Sequence, residues 1–384
     1  MKIRGEEVRL PCSMIGGYPR PHWLQGRVFG SLHEPLYRSM DLRIAYEDAV
    51  RLAAQDQELA GLDILADAQQ YMPWETPAFQ IEPIFHYNTE MLEGFRPWGP
   101  PNSIKKYEKF YMAECVEKIR WVRPIFEGVL AAMKEATRKP FKIGCFGPGQ
   151  NSVIVSDRYY NDNVALAMDL AAALNEEFKY LRTLGLEAIQ IIDVLPAYTQ
   201  ELWQIKTVNR MLEGLDDLIS IWHICYGSVD AQTDVWEDKA AEMMPMFESA
   251  NVTAIHFESA HRDFREMESY RGFPRNKVLG LGFIDVKEPN IEKPEKVANR
   301  IRRVLDAGIV PAERLLVMPD CGLGYMSRTV AAAKLRAMGD GVRMVREELQ
   351  QRLTSRAMES QARSRISPSL SHSPQGVERG LSAN

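Results

Sequence analysis

The sequence contains no apolar run that approaches the roughly 20 residues needed to cross a bilayer. Its first residues, MKIRGEEVRLPC, carry too many charges for a secretory signal peptide. A net charge of -5 also lacks the basic excess of nucleic-acid-binding proteins. These absences predict a cytoplasmic protein that has neither a membrane nor a nucleic acid as its partner.

Cysteine is scarce, with five residues in a chain of 384. A disulfide framework uses an even and denser set, usually in a small secreted chain. The thiols are therefore predicted to be free or bound to a metal ion.

Short apolar runs alternate with helix-period stretches along most of the chain. The predicted strands are 12–16, 62–66, 142–146, 188–193, 218–225, 252–257, 278–285 and 315–318. The predicted helices are 45–59, 122–137, 161–184, 201–212, 235–249, 294–307 and 327–348. This alternation predicts one α/β domain, a (β/α)8 TIM barrel over residues 1–350. The competing doubly wound sheet needs a glycine-rich phosphate loop after the first strand, where this chain has GGYPRP.

Two segments depart from the repeat. Residues 71–120 contain PWETP and FRPWGPP and are too long for a simple βα loop. They predict an insertion that forms a lid or a pocket wall, or else a surface excursion that packs on the barrel or a second subunit. Residues 351–384 are rich in Ser, Arg, Gln and Pro and predict a disordered tail. His372 is excluded from any site for that reason.

Two metal-binding residue types lie one residue apart at the end of the apolar run LISIWHICYGS. His223 and Cys225 would project from the same side of a strand. Zinc binds His nitrogen and Cys sulfur, although a lone Cys among apolar neighbours is more often a small core residue. Glu258 ends the sixth strand and Cys321 follows the eighth. Since barrel strands end at one rim, these four residues predict a Zn²⁺ site in which the Glu can exchange for a substrate thiol.

His256 stands two residues before Glu258 and could also face this site. A histidine in an apolar strand is more often a core residue, and that is the interpretation we favour from the sequence.

The motifs HICYG, HFESA, GFIDVKEP and PDCGLGY occur in an order that resembles the catalytic barrel of cobalamin-independent methionine synthases. GGYPRP and AIQIID extend the resemblance over residues 10 to 348, as in the shorter relatives that lack a folate-assisting barrel. The resemblance implies that His223, Cys225, Glu258 and Cys321 hold zinc. It also implies transfer of a methyl or other alkyl group to a zinc-bound thiol, with a methylated folate as one candidate donor.

The chain departs from this family on the substrate side. The family's serine for the homocysteine carboxylate falls on Gly17, and its glutamate for the amine falls on Gln69. Its DEP carboxylate matches Asp193 at most, and its catalytic histidine falls on Lys287. The resemblance thus implies Lys287 and Asp193 as catalytic residues. Together with Gly17, Arg20 and Gln69 they are the predicted substrate-binding residues.

The substitutions leave the acceptor thiol open. An ammonium group that is buried without a carboxylate partner is costly, so homocysteine is disfavoured. Lys287 and Arg20 could instead bind an anionic thiol such as coenzyme M, as in epoxyalkane:coenzyme M transferases, or they could be surface residues. The sequence predicts small-molecule partners, a thiol and an alkyl donor, and leaves homo-oligomerisation open.

The alternative is a barrel with a different role. Its zinc would be structural, or its pocket would resemble that of uroporphyrinogen decarboxylase, which shares this barrel type. Structural zinc ligands usually cluster in two short Cys/His motifs, whereas these come from three strands. A decarboxylase pocket for many carboxylates needs arginine-rich strand ends, which this sequence lacks.

Overall fold

The computed structural model describes residues 1–24, 40–71, 87–89, 91–96, 113–194, 196, 199, 201–226 and 240–366. The strands are β1 (Lys2–Ile3), β2 (Glu6–Glu7), β3 (Leu65–Ala66), β4 (Glu93–Arg96), β5 (Glu114–Arg120), β6 (Phe141–Phe146), β7 (Ser156–Asp157), β8 (Ala188–Asp193), β9 (Ile219–Ile224), β10 (Ala254–Phe257), β11 (Val278–Ile284) and β12 (Leu315–Pro319). The α-helices are α1 (Met40–Leu59), α2 (Glu127–Ala136), α3 (Pro148–Ile154), α4 (Asn163–Thr183), α5 (Leu202–Met211), α6 (Ala240–Met243), α7 (Pro294–Asp306) and α8 (Arg328–Ile366). The 3-10 helices are Met244–Ser249, Met267–Gly272 and Ala312–Arg314.

A closed parallel barrel forms the centre of the fold. Seven strands pair in the order β12-β11-β10-β9-β8-β6-β3. Cys12 forms a parallel bridge with Val317 of β12, and Ser13 forms one with Ile64 beside β3. Residues 12–13 therefore occupy the eighth strand position and join the two edges of the sheet. The predicted (β/α)8 barrel is confirmed, and the open doubly wound sheet is excluded.

The first two barrel strands are shorter than the sequence predicts. The run 12–16 is reduced to the bridges of Cys12 and Ser13, and 62–66 is reduced to β3. The Cys12 N–H donates to the Asp63 carboxylate at 2.8 Å, so a side chain replaces part of the strand ladder. Gly16 then has a φ of 59°, which ends the extended conformation.

Helix α4 shows how the sequence specifies the outer layer. The Asp162 side chain accepts the Val164 and Ala165 N–H groups at 2.8 and 3.1 Å, which caps the first turn. Its buried leucines recur at helical spacing and pack in the core between helices and sheet. Gly185, with a φ of 93°, follows the helix end.

The barrel interior has an apolar lower layer and a polar upper layer. The lower layer is closed by Met1 and Ile3 of the N-terminal hairpin; it consists of Ile15, Ile64, Ile221, Ala254, Val278, Leu316 and Met318. Two residues further along β9 and β10, toward the carboxyl ends, stand the buried His223 and His256. On the neighbouring strands the buried Gln190 pairs with Ile221, and the buried Lys142 pairs with Ala188. Polar groups thus fill the barrel below the rim where the predicted site lies.

The insertion and the tail are described only in part. Within the insertion, β4 pairs antiparallel with β5, and β5 pairs parallel with β7 in a separate three-stranded sheet. Residues 72–86, 90 and 97–112 lie outside the described residues, so the lid interpretation stays a prediction. Helix α8 continues to Ile366, beyond the predicted tail boundary at 351, because the sequence has no Gly or Pro between Gly341 and Pro368 to end it. Residues 367–384, with His372, lie outside the described residues.

Among the described residues, no helix combines the length and the apolar character that a membrane span requires.

Candidate metal centre

Four side chains that can bind a metal ion converge at the carboxyl ends of β9, β10 and β12. They are His223, Cys225, Glu258 and Cys321, and one ligand atom from each lies within 4.8 Å of all the others. The first three are buried and Cys321 is partly exposed. The structure therefore brings together the four residues that the sequence predicts as zinc ligands, from positions almost 100 residues apart.

The spacing of these atoms fits a tetrahedral zinc ion. The two sulfur atoms of Cys225 and Cys321 are 3.8 Å apart. Two Zn–S bonds of about 2.3 Å at a tetrahedral angle separate the sulfurs by about 3.8 Å, whereas a disulfide bond is about 2.05 Å long. The donor set of one imidazole, two thiols and one carboxylate is also one that zinc prefers.

The His223 ring is prepared for a metal through its Nε2 atom. Its Nδ1 lies 2.8 Å from the Nδ1 of His256, and Nε2 is buried without a hydrogen-bond partner in the described part of the chain. Burial, with a smaller contribution from the charge of Lys142, lowers the pKa of His223 to about 3. The imidazole is therefore neutral at pH 7, as metal binding requires.

The carboxylate of Glu258 is held from two sides. Its Oε1 accepts the Tyr226 N–H at 2.8 Å, and its Oε2 lies 3.5 Å from the Nζ of Lys287. The Glu258 and Lys287 side chains are 0% and 3% exposed. The surface alternative for Lys287 is therefore wrong, and the lysine contacts the proposed metal shell directly.

A carboxylate that the sequence analysis did not identify links two of the ligands. One oxygen of Asp320 accepts the N–H groups of residues 259 and 260, and the other accepts that of residue 261, at 2.7 or 2.8 Å. A Cβ on Gly282 would lie 1.9 Å from the Asp320 carboxylate, so only glycine leaves this space. Burial and the nearby Glu258 raise the pKa of Asp320 to about 7, against the opposing effect of the three donors. Asp320 thus fixes the loop after Glu258 to the residue before Cys321.

Asp193 lies at the end of β8, where the protein itself uses both of its carboxylate oxygens. Oδ2 accepts the indole N–H of Trp222 at 2.7 Å, and Oδ1 accepts the Gln150 N–H at 3.2 Å. Burial raises the pKa of Asp193 to about 7, and these two donors oppose the shift. The Asp193 carbonyl oxygen accepts the Cys225 N–H at 2.7 Å. In this structure Asp193 therefore supports a ligand-bearing backbone.

Gly17 and Gln69 flank the loop that follows β12. The Gly17 carbonyl accepts the Leu323 N–H at 2.9 Å. A Cβ built on Gly16 would lie 3.3 Å from the Cα of Gly322 and 3.9 Å from the Nε2 of Gln69, so the Gln69 amide lies beside this loop. Both polar atoms of that amide are buried and have no hydrogen-bond partner among the described residues. Such an amide is a candidate for binding a ligand.

The backbone beside Gln69 is held in an uncommon conformation. Ala68 and Gln69 have φ values of 56° and 54°, a region that non-glycine residues seldom adopt. Arg20 donates from Nη2 to the Gln69 carbonyl at 3.0 Å and lies 5.6 Å from the centre of the Tyr46 ring. Arg20 is 8% exposed, and burial lowers its pKa to about 10. The surface alternative for Arg20 is wrong, because the side chain is buried and donates a hydrogen bond to the Gln69 backbone.

The fold and the four-residue cluster together indicate the class of protein to which this chain belongs. A closed (β/α)8 barrel with its reactive residue types at the carboxyl rim is the architecture of barrel enzymes. Residues 137–343 match the family model described as the catalytic domain of cobalamin-independent synthase. The chain belongs to the family of cobalamin-independent methionine synthases, as its motifs indicate.

Individual relatives cover nearly the whole chain. The 2-hydroxypropyl-CoM lyase of Xanthobacter autotrophicus is 30% identical over 379 residues, which span 91% of this chain and 98% of that protein. The methionine synthase of Thermococcus kodakarensis is 32% identical over 349 residues, 88% of this chain and 94% of that protein. A solved B12-independent methionine synthase from a Shewanella species, in complex with selenomethionine, has a TM-score of 0.74 and 28% identity, and the match covers 90% of this chain and 100% of that one. The lyase and the methionine synthase are thus about equally similar to this chain.

Proposed function

We propose that this protein is a zinc-dependent enzyme that transfers a methyl or other alkyl group to a thiol. The observation that carries the proposal is the convergence of His223, Cys225, Glu258 and Cys321, with their two sulfurs at the spacing of a zinc tetrahedron. A zinc ion in such a site supplies a Lewis acid that lowers the pKa of a substrate thiol and favours its thiolate at neutral pH. The membership in the methionine synthase family supports alkyl transfer as the reaction.

The surroundings of Glu258 suit an exchange of ligands. The Tyr226 N–H and the Lys287 ammonium already contact its two oxygens. These partners can hold the carboxylate when a substrate thiol takes its place, so that Glu258 is never buried without compensation. Lys287 therefore has a catalytic role as the cation beside the exchangeable ligand. The Asp193 carboxylate has a positioning role through the indole of Trp222, the residue before His223.

Gln69 is the residue that we propose to discriminate between acceptor thiols. An amide offers a donor and an acceptor but no charge, so an amino-acid ammonium beside it would lack a carboxylate partner. This favours a thiol without an ammonium group, such as coenzyme M, over homocysteine. The similarity to a 2-hydroxypropyl-CoM lyase supports this choice, and the similarity to methionine synthases supports homocysteine. A methylated folate is the alkyl donor that goes with homocysteine, and an epoxide is the donor that goes with coenzyme M.

We place the enzyme in the cytoplasm as one barrel domain over residues 1–350, with small molecules as its partners.

Zinc X-ray absorption on the purified protein tests the proposed function. We expect about one zinc per chain, and one added sulfur neighbour when the correct thiol is present. Homocysteine and coenzyme M are the test thiols, and their S-methyl derivatives are controls that cannot bind as thiolates. A protein without zinc, or a zinc spectrum that neither thiol changes, would contradict the proposal.

Introducing a carboxylate at position 69 should improve homocysteine binding. In Gln69→Glu the ammonium regains a charged partner, which is worth about 1–3 kcal/mol, or about 5- to 150-fold in Kd. Gln69→Met keeps the length of the side chain and adds no charge, so it should bring no improvement. Isothermal titration with homocysteine measures both variants. Equal affinities in the Glu and Met variants would show that Gln69 does not face the acceptor.

Removing the Lys287 ammonium should weaken the binding of an anionic thiol and leave zinc in place. The lysine is not a ligand, so Lys287→Met should retain about one zinc per chain. Loss of a buried charge partner should weaken coenzyme M binding by about 2–5 kcal/mol, at least thirtyfold. Lys296→Met, on the exposed face of α7, is the matched control. Unchanged coenzyme M affinity in Lys287→Met would show that the Lys287 ammonium is not a charge partner of the bound thiol.

A further inference from the structure

His256 and His223 face each other inside the barrel. They are direct partners in the β9–β10 register, with ring centres 4.9 Å apart and ring planes inclined by 44°. Their two Nδ1 atoms are 2.8 Å apart, a hydrogen-bond distance, and both side chains are 0% exposed. On the far side of His256 stands Gly280, where a Cβ would lie only 2.9 Å from the Cβ of His256. The barrel thus has a fitted space for this second imidazole.

Only one proton can lie between the two Nδ1 atoms. A hydrogen bond between two ring nitrogens 2.8 Å apart needs an N–H on one ring and a lone pair on the other. A neutral imidazole carries one N–H and one lone pair. When the lone pair of His223 Nε2 binds a metal ion, the His223 proton must be on Nδ1. The Nδ1 of His256 must then be the acceptor.

We propose that His256 is a positioning residue of the metal centre, which accepts the Nδ1 proton of His223 and so directs the Nε2 lone pair of His223 to the metal. This inference rests on the proposed zinc site. Metal-binding histidines usually donate their second N–H to a carboxylate, a carbonyl or water. A neutral imidazole in that place fixes the tautomer and the ring orientation without adding a negative charge. His256 is therefore more than the core residue that the sequence favours.

Zinc affinity separates the acceptor role from simple packing. In His256→Leu the side chain fills the space but accepts no hydrogen bond, and we expect zinc affinity to fall about 10- to 100-fold. In His256→Asn the amide oxygen stands near the position of Nδ1, so most of the affinity should be restored. Competition with a chromophoric chelator measures both constants without any turnover. Thermal unfolding of the metal-free variants reports their packing separately.

Each outcome distinguishes this inference from the proposed function. A wild-type protein that binds no zinc would refute the zinc site itself. Normal zinc affinity in His256→Leu, or equal losses in the Leu and Asn variants, would refute only the acceptor role of His256. If His256→Leu does not fold, nitrogen NMR of the histidine-labelled zinc protein decides. His223 should be protonated at Nδ1 and bound through Nε2, and metal binding through Nδ1 would overturn the inference.

Discussion

Replacing Cys225 or Cys321 by serine should remove zinc from the purified protein while the barrel stays folded. A neutral serine hydroxyl is a much weaker zinc ligand than a thiolate, and the two sulfurs supply half of the proposed shell. We expect zinc affinity to fall at least a thousandfold, about 4 kcal/mol at 1.4 kcal/mol for each factor of ten. Both residues stand beyond the ends of their strands, so the barrel core does not depend on their sulfur atoms.

Zinc content by mass spectrometry and folding by circular dichroism check this result. Cys145→Ser is the matched control, because Cys145 is fully buried in β6 and lies outside the four-residue cluster. It should lose some stability through poorer packing and keep its zinc. Full zinc occupancy in both Cys225→Ser and Cys321→Ser would refute the site.

Most of the barrel could be predicted because its strands are apolar runs that end at residues with a different chemistry. The strand 188–193 is found with the predicted bounds, and 219–224 lies within one residue of them. His223, Cys225, Glu258 and Cys321 were predictable as a group because parallel strands of a barrel end at one rim. Local patterns and one topological rule were sufficient for both results.

Other features depend on tertiary contacts that spacing does not reveal. The first strand is short because the Asp63 side chain takes the Cys12 N–H, a contact across 51 residues. The pairing of His256 with His223 needs the register of β10 against β9, which the sequence alone leaves undetermined. Gly280 within the strand LGLGF was the available signal, since glycine inside a strand often marks a close approach.

The interpretation of Asp193 and Arg20 also required the structure. Both residues were predicted to contact the substrate on the basis of their positions in motifs. In the structure the Asp193 carboxylate accepts the N–H groups of the Trp222 indole and of Gln150, and Arg20 donates to the carbonyl of Gln69. Motif position thus located the correct region, and contact of either side chain with a substrate stays a prediction.

Replacing Asp320 by asparagine should destabilise the protein and weaken zinc binding together. The carboxylate accepts three backbone N–H groups of residues 259–261, and both of its oxygens are used. The amide of asparagine has one oxygen, so its NH2 group would face at least one of these donors. Each unsatisfied buried donor costs about 1–3 kcal/mol, so we expect the free energy of unfolding to fall by about 1–3 kcal/mol.

The effect on zinc follows from the place of Asp320 between two ligands. The loop that Asp320 holds begins directly after Glu258, and Cys321 directly follows Asp320 in the sequence. Freeing that loop should spread the positions of both ligands, so zinc affinity should fall about 10- to 100-fold, as for other residues that orient metal ligands. Urea unfolding of the metal-free protein and chelator competition on the folded protein measure the two effects separately. Asp263→Asn, in the same loop but with an 84% exposed side chain, should change neither quantity. An Asp320→Asn protein with the stability and zinc affinity of the wild type would show that the three hydrogen bonds do not organise the centre.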